Sequence, residues 1–337
     1  MTAADLPVFD GHNDIAYHIA DLDGTGDPLR DITLAQPDLH TDLPRLRTGG
    51  VGAQFWSIYV PSNQPEPEAV RQTLVQLDLM YRLIAANPAD LRLARTAGDV
   101  RNALRDGKIA SLMGVEGGHS IGSDLGVLRM LARLGMAYLT LTHNDDTPWA
   151  DSATGTHSHG GLTDVGREVV RELNRLGVLV DLSHVSAATM ADALDVTTKP
   201  VIFSHSSARA LCDVPRNVPD DILARLSTNG GVCMVALVPQ FLNPACATWQ
   251  ESSGEPRPVA TAAHAADHIE HIREVAGLDH IGIGGDYDGC DVMPADLPDV
   301  SSYPHLFDEL ATRGWSAAEL RQVAWDNALR VLGDSAG

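Results

Sequence analysis

Ile109-Ala110-Ser111-Leu112-Met113-Gly114-Val115 is an almost unbroken apolar run that breaks abruptly into Glu116-Gly117-Gly118-His119. A strand buried on both faces reads this way, continuous rather than alternating. The stretch gains weight because the chain repeats its pattern. Val8-Phe9 leads into Asp10-Gly11-His12-Asn13-Asp14, Ala137 to Thr142 into His143, and Val178 to Leu182 into His184. Val201 to Phe203 leads into His205, and Ile281 to Gly284 into Gly285-Asp286. Histidines and acids at one end of many parallel strands are how a (β/α) barrel builds an active site.

Working outward, eight such runs can be counted, at 7–11, 51–60, 109–115, 136–142, 178–182, 200–204, 231–237 and 280–284. Segments with helical periodicity lie between most of them: 67–86, 98–106, 123–134, 162–176, 186–195, 219–228, 258–276 and 316–332. In one of these, Leu162, Val165, Val169, Leu173 and Leu176 form a single apolar stripe suited to packing on a sheet. Ser123 reads as the cap that opens 123–134, and Gly135 closes it. Eight alternations predict an α/β fold, a single (β/α)8 TIM-like barrel with a metal site at the C-terminal ends of its strands. No linker-like shift in composition and no internal repeat divides residues 1–337, which read as one domain. The most loop-like stretches are 21–45, 144–161, 239–258 and 286–304; three of them follow strand ends, where barrel enzymes carry substrate loops.

Composition narrows the partners. A net charge of −21 argues against nucleic acid, which is bound by clustered Lys and Arg, and against anionic membrane surfaces. Cys212, Cys233, Cys246 and Cys290 show no paired spacing and read as free thiols in a reducing compartment. Neither a signal peptide, a lipid-anchor signal nor a bilayer-spanning run is evident, so the expected location is cytoplasmic.

The strand ends carry the chemistry. His12 and Asp14 stand two residues apart, on the same side of an extended backbone, and can reach one ion. His184 and His205 end neighbouring strands and can share a second. Glu116, ending the third strand, can reach between the two; a bridging carboxylate holds metals about 3.5–4 Å apart. Histidine nitrogen with carboxylate oxygen suits Zn²⁺, with Mn²⁺ or Co²⁺ as substitutes. A carboxylated lysine cannot bridge here, because Lys108 and Lys199 precede their strands. Other histidines read differently. His264, His268 and His271 fall on a solvated helix face, His157 and His159 in a surface loop, and His119 as a residue that orients a ligand. Gly282-Ile283-Gly284-Gly285 is no dinucleotide motif, since no phosphate-cradling helix follows it.

Taken in order, these segments resemble the membrane dipeptidase (renal dipeptidase) family of zinc peptidases within the amidohydrolase-like barrels. The resemblance rests on Phe9 to Asp14, Gly114 to Ser120, Leu141 to His143 with Thr147 to Asp151, Gly161 to Thr163 and Asp181 to Ser186. It continues through Phe203 to Ala208, Arg216 to Asp220, Gly284 to Gly289 and Trp325 to Val331, nearly the whole chain. It implies one zinc on His12 and Asp14, a second on His184 and His205, and Glu116 bridging. It also implies His143 at the substrate carbonyl oxygen, Arg216 at the substrate carboxylate and Asp286 in proton transfer. The expectation is a binuclear zinc dipeptidase that hydrolyses dipeptides, L-Xaa-D-Xaa included, by a metal-bridging hydroxide, with a homodimer by family resemblance. An amidohydrolase-type amidase or lactonase acting on a non-peptide substrate is the alternative. A catalytically inactive binding protein is disfavoured by the intact set of site residues.

Overall fold

The computed structural model describes residues 6–24 and 29–335. Its strands are β1 (Val8–Asn13), β2 (Val51–Tyr59), β3 (Leu91–Leu93), β4 (Ile109–Glu116), β5 (Met136–Thr140), β6 (Leu179–Asp181), β7 (Val201–Phe203), β8 (Val232–Ala236) and β9 (Ile281–Gly284). All their pairings are parallel. β1 pairs with β2 and β9, and β2 with β4, so β1-β2-β4-β5-β6-β7-β8-β9 closes on itself as an eight-stranded barrel. These eight are the runs read from the sequence. β3 stands outside the ring and pairs only with the start of β4, Leu91 to Ile109 and Leu93 to Ser111. Three residues with Arg92 in the middle leave no apolar signature to read.

The barrel interior is packed rather than hollow. Phe9, Phe55, Leu112, Tyr138, Ile202 and Met234 fill it, all with almost no exposure. Trp325, in the π-helical turn Gln322–Asp326, closes the end near the strand N-termini, its ring 5.6 Å from that of Phe9. Gly114 is required by what lies across from it, because a Cβ there would collide with the Tyr138 ring. That ring reaches on to a histidine of the site.

Helices follow most strands, with local capping chemistry that explains their starts. Thr96 forms a capping box with Asp99 for Ala97–Arg105, and Ser316 does so with Glu319 for Ala317–Arg321. The helix Leu125–Arg133 departs from expectation: Asp124 caps it, accepting from Gly126 N. Ser123 sits at φ 52° and gives its hydroxyl to Glu66, because an acid one residue later is in better position to meet the free amides. Ile15–Asp23, Leu43–Thr48 and Tyr303–Thr312 are helices that the sequence reading did not place. No helix among the described residues is long and apolar enough to cross a membrane.

The three-histidine helix Ala262–Ala276 is not the solvated face expected. His268 is 1% exposed; its Nδ1 accepts from Ala208 N (3.0 Å) and its Nε2–H donates to Leu242 O (3.1 Å). Burial pushes its pKa down to about 4 from the ordinary 6.5. As pH falls through that window the unfolded chain takes a proton the folded chain refuses. Stability held above pH 6.5 is therefore lost toward pH 4, by about 3 kcal/mol if both contacts are kept neutral. Melting temperatures at about pH 7 and pH 4.5 test this, the wild type falling several degrees further than His268→Gln. Equal falls would show that His268 accepts its proton in the folded state without penalty.

Candidate metal centre and active site

The sequence-predicted residues converge at the C-terminal mouth of the barrel. Three overlapping groups have ligand atoms within 4.8 Å of one another: His12, Asp14 and Glu116; Glu116, His184 and His205; and His12, His205 and Asp286. Glu116 is divided between the first two. Its Oε2 lies 3.4 Å from His12 Nε2, and its Oε1 lies 3.0 Å from His184 Nε2 and 3.5 Å from His205 Nε2. Asp14 Oδ2 completes the first group, 3.1 Å from His12 Nε2.

Electrostatics shows what this arrangement wants. Burial opposes charge on His12, but the Tyr138 hydroxyl, Asp14 and Glu116 outweigh it and hold the imidazole pKa well above its ordinary value. Positive charge is thus favoured at His12 Nε2, an atom that is buried and makes no hydrogen bond among the described residues. His184 and His205 are pushed well below the ordinary range by burial first, aided by Arg216 in both cases. Their Nε2 atoms face each other at 2.9 Å, two neutral imidazoles converging on one carboxylate oxygen. Burial alone would raise the Glu116 pKa, yet His12 and His184 hold it well below the usual value, so it is a carboxylate. Neutral imidazoles at His184 and His205, an ionised Glu116 and a His12 position that favours positive charge together suit a divalent cation.

Residues that the sequence reading missed hold these groups in place. Tyr138 Oη lies 2.8 Å from His12 Nδ1, so that an Nδ1–H leaves the Nε2 lone pair facing Asp14 and Glu116. Ser204 Oγ donates to Asp181 Oδ2 (2.7 Å) and accepts from His205 Nδ1 (2.8 Å), with Thr140 also donating to Asp181. Ser57 Oγ donates to Glu116 Oε2 (3.0 Å). Asp10 accepts from the His12 and Gly285 amides and from Tyr303 Oη (2.6 Å), tying β1 to β9 beneath the site. The available signal was an acid inside an apolar run, as at Asp10 and Asp181, since acids are rarely buried without purpose.

Above the two groups opens a cavity of about 570 Å³, walled by His143, Arg216, Phe241, Asp286, Tyr59 and Tyr17 among others. His143 packs between the rings of Tyr59 (4.5 Å) and His184 (4.3 Å), and burial lowers its pKa. Arg216 is buried, with its guanidinium over the Phe241 ring at 5.0 Å and weak contacts to Ser206 Oγ and His205 O. Burial brings it down to about 10. Asp286 is pushed up to about 7, by burial above all. His184, Asp286 and Asp288 take left-handed backbone conformations, with φ of 68°, 58° and 65°. His119 and the two loop histidines make structural contacts. His119 donates to Val60 O (2.8 Å), and the His157 and His159 amides donate to Asp146 and Asp151. Lys108 reaches Pro88 O, well away from the centre.

A parallel (β/α)8 barrel with one carboxylate shared by two histidine-containing groups at its strand ends belongs to the metal-site barrels. The profile of the membrane dipeptidase family (peptidase family M19) matches residues 2–336, and the chain belongs to that family. Dipeptidase 3 from Mus musculus is 45% identical over 334 residues, covering 97% of this chain. The chain spans 64% of that relative's length. The crystal structure of a metallopeptidase from Rhodobacter sphaeroides, liganded with a phosphinate mimic of the dipeptide L-Ala-D-Ala, superposes with a TM-score of 0.87. It is 26% identical and covers 98% of this chain and 99% of its own. The metallopeptidase dipeptidase AC gives a TM-score of 0.88 at 27% identity, over 99% of each chain.

Proposed function

We propose that this chain is a binuclear zinc dipeptidase acting on dipeptides with a free C-terminal carboxylate, L-Xaa-D-Xaa among them. The observation that carries the reading is the division of Glu116 between two ligand groups, facing the same cavity as Arg216. His12 and Asp14 would hold one zinc, His184 and His205 the other, and Glu116 both; Mn²⁺ or Co²⁺ would fit the same donors. Bound there, such ions would supply an acidified water near neutral pH and Lewis-acid polarisation of the scissile carbonyl. The similarity to the Rhodobacter sphaeroides metallopeptidase, which was crystallised with an L-Ala-D-Ala mimic, supports the stereochemical part.

The rest falls to the chain's own residues. Arg216 presents a fork to the substrate carboxylate, stacked on Phe241 and unable to retreat into solvent. His143, kept neutral by burial, gives an N–H to the carbonyl oxygen as charge builds there. Asp286, whose proton affinity burial brings close to neutrality, accepts a proton from the attacking water and passes it to the departing amine. Because Arg216 binds a terminal carboxylate, one residue beyond the scissile bond is the natural limit. A cytoplasmic location is proposed with it, and the net charge of −21 disfavours adsorption to anionic lipid surfaces.

Zinc-loaded protein incubated with a mixed L,L and L,D dipeptide library, followed by mass spectrometry, tests the proposal. Dipeptides should disappear selectively while C-terminally amidated counterparts persist. Survival of every dipeptide in protein carrying two zincs per chain would overturn it, and lactone turnover in that protein would favour the non-peptide hydrolase. Arg216→Ala should raise KM about 100-fold with kcat changed far less, the loss of a buried charged fork. An unchanged KM would remove Arg216 from the substrate site.

A further inference from the structure

The three histidines of the metal centre are supported unequally from behind. His12 meets the Tyr138 hydroxyl, a group that can either give or accept, and whose own hydrogen finds Gly11 O only at 3.5 Å. His184 has no such support among the described residues, since its Nδ1 is buried and makes no hydrogen bond there. Behind His205 the contacts run in one direction. Asp181 ends β6 and is fully buried. Its Oδ1 accepts from the amides of Ser183 (3.1 Å) and Ser204 (2.8 Å), and its Oδ2 from the hydroxyls of Thr140 (2.6 Å) and Ser204 (2.7 Å). Burial raises the Asp181 pKa, and these four donors hold the rise down. With the Ser204 hydrogen committed to Asp181, only the lone pairs of that oxygen face His205 Nδ1, 2.8 Å away. The ring must then carry its hydrogen on Nδ1. Its Nε2 is left with a free lone pair, 3.5 Å from Glu116 Oε1.

We infer that Asp181 is a positioning residue: through Ser204 it holds His205 in the one tautomer that can bind a metal at Nε2, and thereby sets the affinity for the metal that His205 shares. The inference rests on the metal-centre reading, which makes His205 a ligand. A neutral imidazole has one N–H, so a ring with its hydrogen on Nε2 has no lone pair there for a metal. A preset tautomer spares that rearrangement, and a hydrogen-bond chain ending on a carboxylate makes the free nitrogen a stronger donor. Removing the Ser204 hydroxyl would leave His205 Nδ1–H buried without an acceptor. The ring would then turn to the other tautomer, whose Nε2–H can be given to Glu116 Oε1 or to His184 Nε2 (2.9 Å). Asp181→Asn acts differently and to the same end. Its remaining oxygen must serve the Ser183 and Ser204 amides, which places the new NH₂ against Thr140 and Ser204. The Ser204 oxygen then accepts from Asn, its hydrogen turns to His205 Nδ1, and the chain runs backwards.

Two measurements on wild type, Ser204→Ala and Asp181→Asn test this. Long-range proton–nitrogen NMR spectra of metal-free protein with isotope-labelled histidine read the tautomer of His205 directly. The wild type should carry the hydrogen on Nδ1 and both variants on Nε2. Competition with a chromophoric chelator reads zinc affinity, and one zinc per chain should be held about 10–100-fold more weakly in each variant, the other nearly as in the wild type. Asp181→Asn is the sharper variant, because it preserves volume and the number of hydrogen bonds; a merely structural Asp181 would be replaced by Asn with zinc affinity unchanged. Ser204→Ala leaves Asp181 its Thr140 hydroxyl and both amides, so the strand end should stay folded. An Nδ1–H tautomer kept in Asp181→Asn, wild-type zinc affinity in both variants, or equal weakening of both zincs overturns the inference while the metal-centre reading stands. Wild-type protein that takes up no zinc overturns that reading instead, and this one with it.

Discussion

Glu116→Gln is expected to cut bound zinc from two per chain to one or none and to lower dipeptide turnover by roughly four orders of magnitude. The substitution keeps the volume of the side chain and an oxygen for the Ser57 hydroxyl, so the fold should survive it. What it removes is the negative charge between His12 and the His184–His205 pair, the one group that serves both sets of donors. An amide has a single oxygen and no net charge, and cannot neutralise two cations at once. Elemental analysis of the purified variant, beside kcat on a good dipeptide, reads both effects. Two zincs retained with turnover near wild type would show that Glu116 is not the bridge.

Asp286→Asn is the counterpart, expected to separate metal binding from chemistry. Zinc content should stay near two per chain, KM should change little, and kcat should fall about 10³-fold, the usual scale for a lost general base. The side chain lies in the site wall with its backbone N–H on His12 O (3.1 Å), so the isosteric amide should occupy the same position. An amide cannot take up and return a proton. Activity that requires the ionised Asp286 falls as pH drops, and this acid limb of kcat/KM should flatten in the variant. A variant that keeps its rate, or that loses its zinc, would assign the proton transfer elsewhere.

The eight barrel strands were legible because each is buried on both sides, which leaves a continuous apolar run with little room for ambiguity. The candidate metal donors could be picked out for a related reason: His12, Glu116, His184 and His205 interrupt or follow those runs where apolar residues would be cheaper to bury. The positioning layer could not. Tyr138 looks like one more aromatic in a core strand, and only the missing Cβ of Gly114 across from it lets its hydroxyl reach His12. The helix Tyr303–Thr312 went unread behind the loop-like stretch 286–304, and with it the hydroxyl that Tyr303 gives to Asp10. His268 misled for the opposite reason. Its heptad-like spacing with His264 and His271 says nothing about which of the three faces inward.

The left-handed backbone at His184, Asp286 and Asp288 has a consequence for how this protein can be changed. Each is a non-glycine residue held where glycine would rest more easily, at about 1–3 kcal/mol apiece. A laboratory selection for heat resistance alone would therefore look for relief at His184 and Asp286, with glycine among the first residues collected, whereas the Asp288 carboxylate is kept by the His40 amide that donates to it (2.6 Å). His184→Gly and Asp286→Gly would each delete a side chain that the proposed reaction needs. Variants enriched by heat without an activity screen should thus drift toward a sturdier and inert barrel. Thermostabilisation of this chain has to be sought elsewhere, on the outer helices and in the loops far from the strand ends.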